Sequence, residues 1–373
     1  MAEDLGKKLL AEVEEVGLDE IFEILRLQTV PFSKSWFNLP QLDRLVNETN
    51  QESNSTSSKI FKPTQPIVEL TSTIPGSGKT HLLYHLTALA VLPFDLGGKE
   101  SCAVVLDTDG TFSVPRLAQQ LLLLIRSDSS TDQETDDILL PSLKHIHIFR
   151  PQSFASSIAT LTTLPNYLFD PSSHYSLDRA VSFIALASAS AYYWQTKASE
   201  ENAALFASTA APSSKPGKQP LQVPATYAQL TTALKLASRT FHCPILLTSH
   251  HLAGPPKPNT TTAHDFPSAN NPSHALRPSL PAPLSTLPTL RLTLTRLPVR
   301  KLPAGISLEE AAREAVDRQQ AVEAGKYSCV VNEWGLDERV LSKLQRPGEG
   351  GMGFGFRIEE EGLRVDGGDE SGD

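Results

Sequence analysis

The stretch Pro66–Leu92, PIVELTSTIPGSGKTHLLYHLTALAVL, restricts the architecture more than any other part of the chain. It opens on Ile67-Val68-Glu69-Leu70, which reads as a buried strand. A Gly/Ser/Pro turn follows, Ile74-Pro75-Gly76-Ser77-Gly78, and then Lys79-Thr80. Beyond it Leu82, Leu83, Leu86, Leu89 and Ala90 recur at helical spacing. Strand, glycine-rich turn and helix N-terminus are the physical parts of a phosphate-binding loop. Backbone N–H groups of the turn face the phosphates and the helix dipole favours an anion. Gly76, Ser77, Gly78, Lys79 and Thr80 are therefore the candidate nucleotide-binding residues. Lys79 would reach the β/γ-phosphates and the Thr80 hydroxyl would hold Mg²⁺. One position departs from the pattern G-x-x-x-x-G-K-[ST]: its first glycine is replaced by Thr73, a β-branched residue that resists a tight turn.

The rest of the core pattern repeats strand and helix. Ala103–Asp107 is a second buried strand, followed by Thr108-Asp109-Gly110-Thr111-Phe112 and a helix from about Val114 to Arg126. A polar acidic loop is expected over 127–137. Ile146–Arg150, Val181–Leu186 and Pro244–Thr248 read as further strands, with a helix over 225–241 before the last. Such alternation implies an α/β fold with a parallel sheet covered on both faces. Ligands then bind at the carboxyl ends of the strands. That edge would gather the phosphate loop, Asp107 and Asp109, Ala187 and Ser188, and Ser249 and His250.

Around this core the boundaries expected are a helical N-terminal segment 1–47, a polar linker 48–62, the core 63–251, a disordered loop 252–288, a β-rich extension 289–365 and a disordered tail 366–373. An Ala/Ser/Pro/Lys-rich insertion is placed at about 198–222. In the extension Leu290–Leu297 reads as a strand of an antiparallel unit, Ser307–Glu323 as a helix with a capping box, and Phe354–Ile358 with Leu363–Val365 as a closing hairpin. Residues 1–28 carry an amphipathic pattern, Leu10, Val13, Leu18, Phe22 and Leu25, which is expected either to pack on the chain itself or to dock on a neighbouring subunit.

Net charge and cysteine content narrow the classes. A charge of −9 does not steer the chain to nucleic acid or to an anionic membrane by bulk electrostatics. Cys102, Cys243 and Cys329 show no metal spacing and leave one thiol unpaired, which points to a reducing compartment. Of the histidines, His81 and His85 lie one helical turn apart with no third ligand suggested, and His145 and His147 have no ligand spacing either. Arg296, Arg300 and Lys301 read as a solvated strand edge.

Four segments resemble the RecA-like recombinases of eukaryotes. They are WFNLPQLDRLV (36–46), AVVLDTDGTFSVPRL (103–117), and GKTHLLYHLTALAVLP (78–93) taken with ASASAYYW (187–194). The last two are similar to the accessory paralogues of that family. The resemblance covers about 66–251 well and the ends weakly. It implies a RecA-like P-loop core with ATP and Mg²⁺ as cofactors, heteromeric assembly with other RecA-like paralogues, single-stranded DNA reached through the complex, and a nuclear location. It also implies roles at three positions. Asp109 stands where active recombinases carry a glutamate that orients the attacking water, one methylene short; it is the candidate catalytic residue. Ala187 stands where the family has its magnesium-positioning aspartate. His250 replaces a glutamine sensor. On the residues alone, Asp107 at the end of AVVLD is an alternative magnesium carboxylate.

The function implied is that of an accessory paralogue in homologous-recombination repair of DNA double-strand breaks, with weak ATP binding and little hydrolysis. An active DNA-dependent ATPase that drives strand exchange is the alternative. A small-molecule P-loop kinase is a third reading, disfavoured because no arginine-rich lid follows the core.

Overall fold

The computed structural model describes residues 35–53, 65–126, 132–209, 223–252, 276–297, 305, 307–323, 325–345 and 351–366. The amphipathic pattern at 1–28, the linker beyond Ser53 and the tail 367–373 lie outside them.

The described residues from Trp36 on build on one nine-stranded sheet. Its strands are β1 Ile67–Ser72, β2 Cys102–Asp107, β3 Ile146–Phe149, β4 Val181–Ala187, β5 Ile245–His250, β6 Leu290–Arg296, β7 Lys326–Val331, β8 Gly353–Ile358 and β9 Leu363–Val365. Their order is β3-β2-β4-β5-β1-β6-β7-β8-β9. The first six are parallel, and β7 to β9 continue the sheet antiparallel. This is an α/β fold with the mostly parallel sheet of a RecA-like core.

Both faces of the parallel part are buried, which is why β1, β2 and β5 read as near-continuous apolar runs. One face carries Val68, Leu70, Val105 and Leu246 and packs on α1 (Pro40–Ser53), α2 (Lys79–Val91) and α3 (Val114–Arg126). The α4 helix, Asp132–Leu143, follows α3 and contributes partly buried Ile138, Leu139 and Leu143 to the same side. The other face carries Ile67, Val104, Ile184 and Leu247 against α5 (Phe154–Leu168) and, past α6 (Tyr193–Thr209), against α7 (Val223–Phe241). The C-terminal part adds α8 (Leu308–Glu323) and α9 (Glu338–Leu344).

Several boundaries differ from the sequence expectation. The α1 helix runs through Asn47–Ser53, into the stretch read as a polar linker. Its polar residues are held locally: the Thr49 hydroxyl bonds the Leu45 and Val46 carbonyls, and Arg44 pairs with Glu48 at 3.3 Å. Residues 132–137 begin α4 instead of completing an acidic loop, and α6 extends to Thr209, well into the predicted insertion. Ala, Glu and Lys favour helix and outweigh the low-complexity appearance there. Part of the predicted disordered loop is ordered as well. Leu280, Leu284 and Leu287 bury against the second face, leaving 253–275 outside the described residues. The β6 strand is parallel to β1, so it extends the core sheet before the antiparallel turn-back begins at β7. The capping box is present: Ser307 Oγ accepts from the Glu310 N–H and the Glu310 carboxylate accepts from the Ser307 N–H, both at 3.2 Å.

Candidate functional site

The carboxyl ends of the parallel strands meet one cleft of about 700 Å³. Strand register arranges its floor. Ser72 lies beside His250, and Asp107 lies beside Ala187.

The phosphate loop spans Thr73 to Gly78, and α2 begins at Lys79. Two glycines take left-handed backbone angles, Gly76 at φ +73° and Gly78 at φ +86°. Thr73 is not among the positive-φ residues, so the β-branched side chain sits where it is tolerated and the sharp turns fall on Gly76 and Gly78. Ser77 Oγ closes the loop by donating to the Ile74 carbonyl at 2.6 Å. No side chain caps the start of α2, so its first N–H groups face the cleft without a side-chain acceptor. Lys79 is buried, and its ammonium donates to Ser72 Oγ at the end of β1. Burial brings its pKa down to about 8, against the opposing pull of Asp109.

The second strand delivers two carboxylates into different settings. Asp107 is buried; Oδ1 accepts from the Phe112 N–H at 3.3 Å and Oδ2 from Arg150 Nε at 3.2 Å. Desolvation raises its pKa in spite of these partners. Asp109 is exposed and lines the cleft, with Oδ1 accepting from the Thr111 N–H and hydroxyl. The two readings of AVVLDTD thus separate: Asp107 is committed to Arg150 and the turn, and Asp109 faces the ligand space.

The fourth strand ends in Ala187, whose methyl lines the cleft. The next residue, Ser188, holds φ +62°. Its N–H donates to Thr248 Oγ1 at 2.7 Å, and the Thr108 hydroxyl lies 2.6 Å and 2.8 Å from the Ala187 and Ser188 carbonyls. A non-glycine residue at such angles costs roughly 1–3 kcal/mol, here held by contacts from β5 and from the turn after β2. On β5, His250 donates its N–H to Ser190 Oγ; burial first, then Lys79, lowers its pKa.

Two features of the cleft were not visible in the sequence. The C-terminal meander forms its roof. A methyl group on Gly78 would stand 2.9 Å from Phe356 Cε2 and 3.1 Å from Ile358 Cδ1. Gln120 of α3 pins β9 beside this roof, accepting from the Leu363 N–H at 2.6 Å and donating to its carbonyl at 3.1 Å. The second feature is charge. Arg116 of α3 and Arg296 at the end of β6 both line the cleft. Arg296, read as part of a solvated strand edge, is exposed at the end of β6, where it stands over Tyr327 and donates to the Val322 carbonyl at 3.1 Å. Arg300 and Lys301 lie outside the described residues. The aromatic run after β4 is mostly structural: Tyr192 donates to the Thr108 carbonyl at 3.1 Å, whereas Trp194 is exposed with Lys197 over its ring.

The residues can be tested against the groups they are expected to hold. A nucleotide's phosphates fit. Gly76 has open space beside it, α2 offers its N-terminus, and Lys79, Arg116 and Arg296 line the space. For a resident Mg²⁺ the Thr80 hydroxyl lines the cleft, but carboxylate support is thin. Asp107 has both oxygens engaged, Ala187 offers a methyl, and one lining carboxylate remains, Asp109. Among the described residues no group of three or more His, Cys, Asp or Glu side chains is placed to hold a metal ion.

Comparisons with known proteins bear on the same core. No family model matches the chain. DNA repair protein RAD51 homolog 3 of Dictyostelium discoideum is 27% identical over 113 residues, 28% of this chain and 29% of that protein. DNA repair protein RAD51 homolog 2 of Homo sapiens is 33% identical over 76 residues, 20% and 19% of the two chains. DNA repair protein RAD51 homolog 3 of Cricetulus griseus is 30% identical over 105 residues, 26% and 29%. The chain is similar to the RAD51-like recombinase paralogues. The matched segments span less than a third of the length of these curated relatives.

Proposed function

We propose that the chain acts in homologous-recombination repair of DNA double-strand breaks as an accessory recombinase paralogue that binds ATP weakly and hydrolyses it little. One observation carries this reading: a phosphate cradle with its buried lysine is joined to an incomplete hydrolytic set. Asp109 is one methylene shorter than the glutamate expected there, and Ala187 offers no carboxylate. A displacement of about 1 Å in a positioning group can cost roughly a hundredfold in rate. The relatives' names, DNA repair proteins, support the pathway. The likeness of residues 78–93 and 187–194 to the second X-ray-repair cross-complementing protein supports an accessory role over a strand-exchanging one.

In this reading the chain works in the nucleus, in a complex with other RecA-like paralogues, and meets single-stranded DNA through that complex. Residues 1–28 contribute to the heteromeric interface, whereas 36–47 are built into the core of the chain itself. The purified chain is expected to turn over ATP far below roughly 1 per second, with or without single-stranded DNA, while still binding the nucleotide. Turnover at or above that level, abolished by Lys79→Ala, would establish the active DNA-dependent ATPase instead. Affinity purification from cells should recover RecA-like subunits, and their recovery should fail when residues 1–28 are deleted while the core keeps its melting temperature.

A further inference from the structure

We propose that this cleft holds the nucleotide's phosphates without a divalent cation, with Lys79, Arg116 and Arg296 supplying the countercharge. The inference rests on the nucleotide reading above and adds to it what neutralises the polyanion.

Three cationic side chains from three elements line one cleft: Lys79 from α2, Arg116 from α3 and Arg296 from β6. One carboxylate, Asp109, lines it with them. The local balance is positive in a chain whose net charge is −9. Each guanidinium is anchored from one nitrogen. Arg116 NH1 donates to Gln119 Oε1 at 3.2 Å and to the Glu360 carbonyl at 3.4 Å, and Arg296 NH2 donates to the Val322 carbonyl at 3.1 Å. A guanidinium has five N–H donors in a planar fork that matches phosphate oxygens. The anchors therefore orient each fork while leaving donors for a ligand. Their placement depends on the C-terminal meander: Arg116 is held by the turn between β8 and β9, and Arg296 lies against Tyr327 of β7.

A metal ion in such a site would serve to neutralise phosphate charge and to fix a water. Here the arginines and lysine do the first. The donor set for the second is reduced to the Thr80 hydroxyl and Asp109, because Ala187 has no oxygen and Asp107 is bound to Arg150.

The test is equilibrium binding of ATP to the full-length chain by calorimetry, in EDTA and in excess Mg²⁺. Affinity in EDTA is expected to equal or exceed that in Mg²⁺. Arg116→Gln and Arg296→Gln should each weaken binding in EDTA about tenfold, the loss of one charge-assisted contact. Arg116→Lys and Arg296→Lys, which keep the charge but lose the planar fork, should bind more tightly than the Gln versions and more weakly than the parent. Melting curves identify any variant that fails to fold, and the Lys versions supply the comparison for it. Binding seen only with Mg²⁺ overturns the metal-free inference and leaves the nucleotide reading standing. Full affinity in EDTA for both Gln variants overturns the role of the arginines. No ATP binding in either buffer overturns the nucleotide reading itself, and this inference with it.

Discussion

Lys79 is the residue at which acid–base chemistry and ligand binding meet. Its pKa of about 8 in the free cleft comes from burial, and an arriving phosphate favours the charged ammonium. Binding is thus linked to proton uptake: affinity is full below about pH 8 and declines as pH rises through it. Calorimetric titration of ATP between pH 7 and pH 9.5 should show that decline, and Lys79→Arg, charged throughout, should flatten it. The two loop glycines give a paired expectation. Gly76→Ala meets nothing within 4 Å, so its cost is the left-handed backbone alone, about 1–2 kcal/mol. Gly78→Ala adds a collision with Phe356 and Ile358 and should lower stability by roughly 2–5 kcal/mol in urea unfolding. The loop residues Gly76–Thr80 were legible because local rules place them: turn glycines, a lysine and a hydroxyl follow one another directly after a strand. Arg116 and Arg296 were not, because nothing within a few residues of either shows what it faces. Arg296 reaches the cleft only through the pairing of β6 with β1 and β7.

Among the elements, β1 is locked to both neighbours by a buried carboxylate. Glu69 accepts from Ser249 Oγ of β5 at 2.7 Å and from Arg291 Nε of β6 at 3.0 Å, and Arg291 also reaches the Ser285 carbonyl. Removing one partner of a buried pair leaves an uncompensated charge and costs about 3–5 kcal/mol. Arg291→Met should destabilise by that amount in urea, and the double variant Glu69→Leu/Arg291→Met should regain most of it. A second polar cluster lies at β3. His147 bonds Tyr167 through Nδ1 at 3.1 Å and Ser176 through Nε2 at 3.0 Å, with the His174 ring centroid 5.0 Å away. Burial, with His174 and His145 adding to it, pushes its pKa from 6.5 to about 4. The unfolded chain therefore takes up the proton first, and this site's contribution to stability is present above about pH 6.5 and lost as pH falls toward 4. The melting temperature should drop over that interval, less steeply in His147→Gln. The sequence showed the strands clearly because burial on both faces produces apolar runs. It hid the far ends of α1 and α6, where side-chain contacts and helix propensity override a polar, repetitive composition.

At the level of the whole molecule, a sheet edge collects residues that are remote in sequence, and most of that convergence followed from the strand–helix alternation alone. What the alternation did not reveal was that the meander belongs to the same sheet and roofs the cleft, since antiparallel strands carry no sign of which parallel neighbour they will extend. Electrostatics at this scale oppose DNA. With a net charge of −9, the isolated chain should bind single-stranded DNA weakly at physiological salt in fluorescence anisotropy, because affinity for the backbone comes from phosphate neutralisation. The roof has one more consequence, and it concerns time. The phosphate loop leaves the ribosome well before Ile358, which closes over Gly78. Elongation at roughly 5–20 residues per second puts tens of seconds between the two. Until β6 is made β1 lacks that neighbour and the Glu69 carboxylate lacks Arg291, and Gly78 stays uncovered until β8 follows. A nascent chain therefore exposes an uncovered loop that gains Arg116, then Arg296, then its lid, in the order in which they are made.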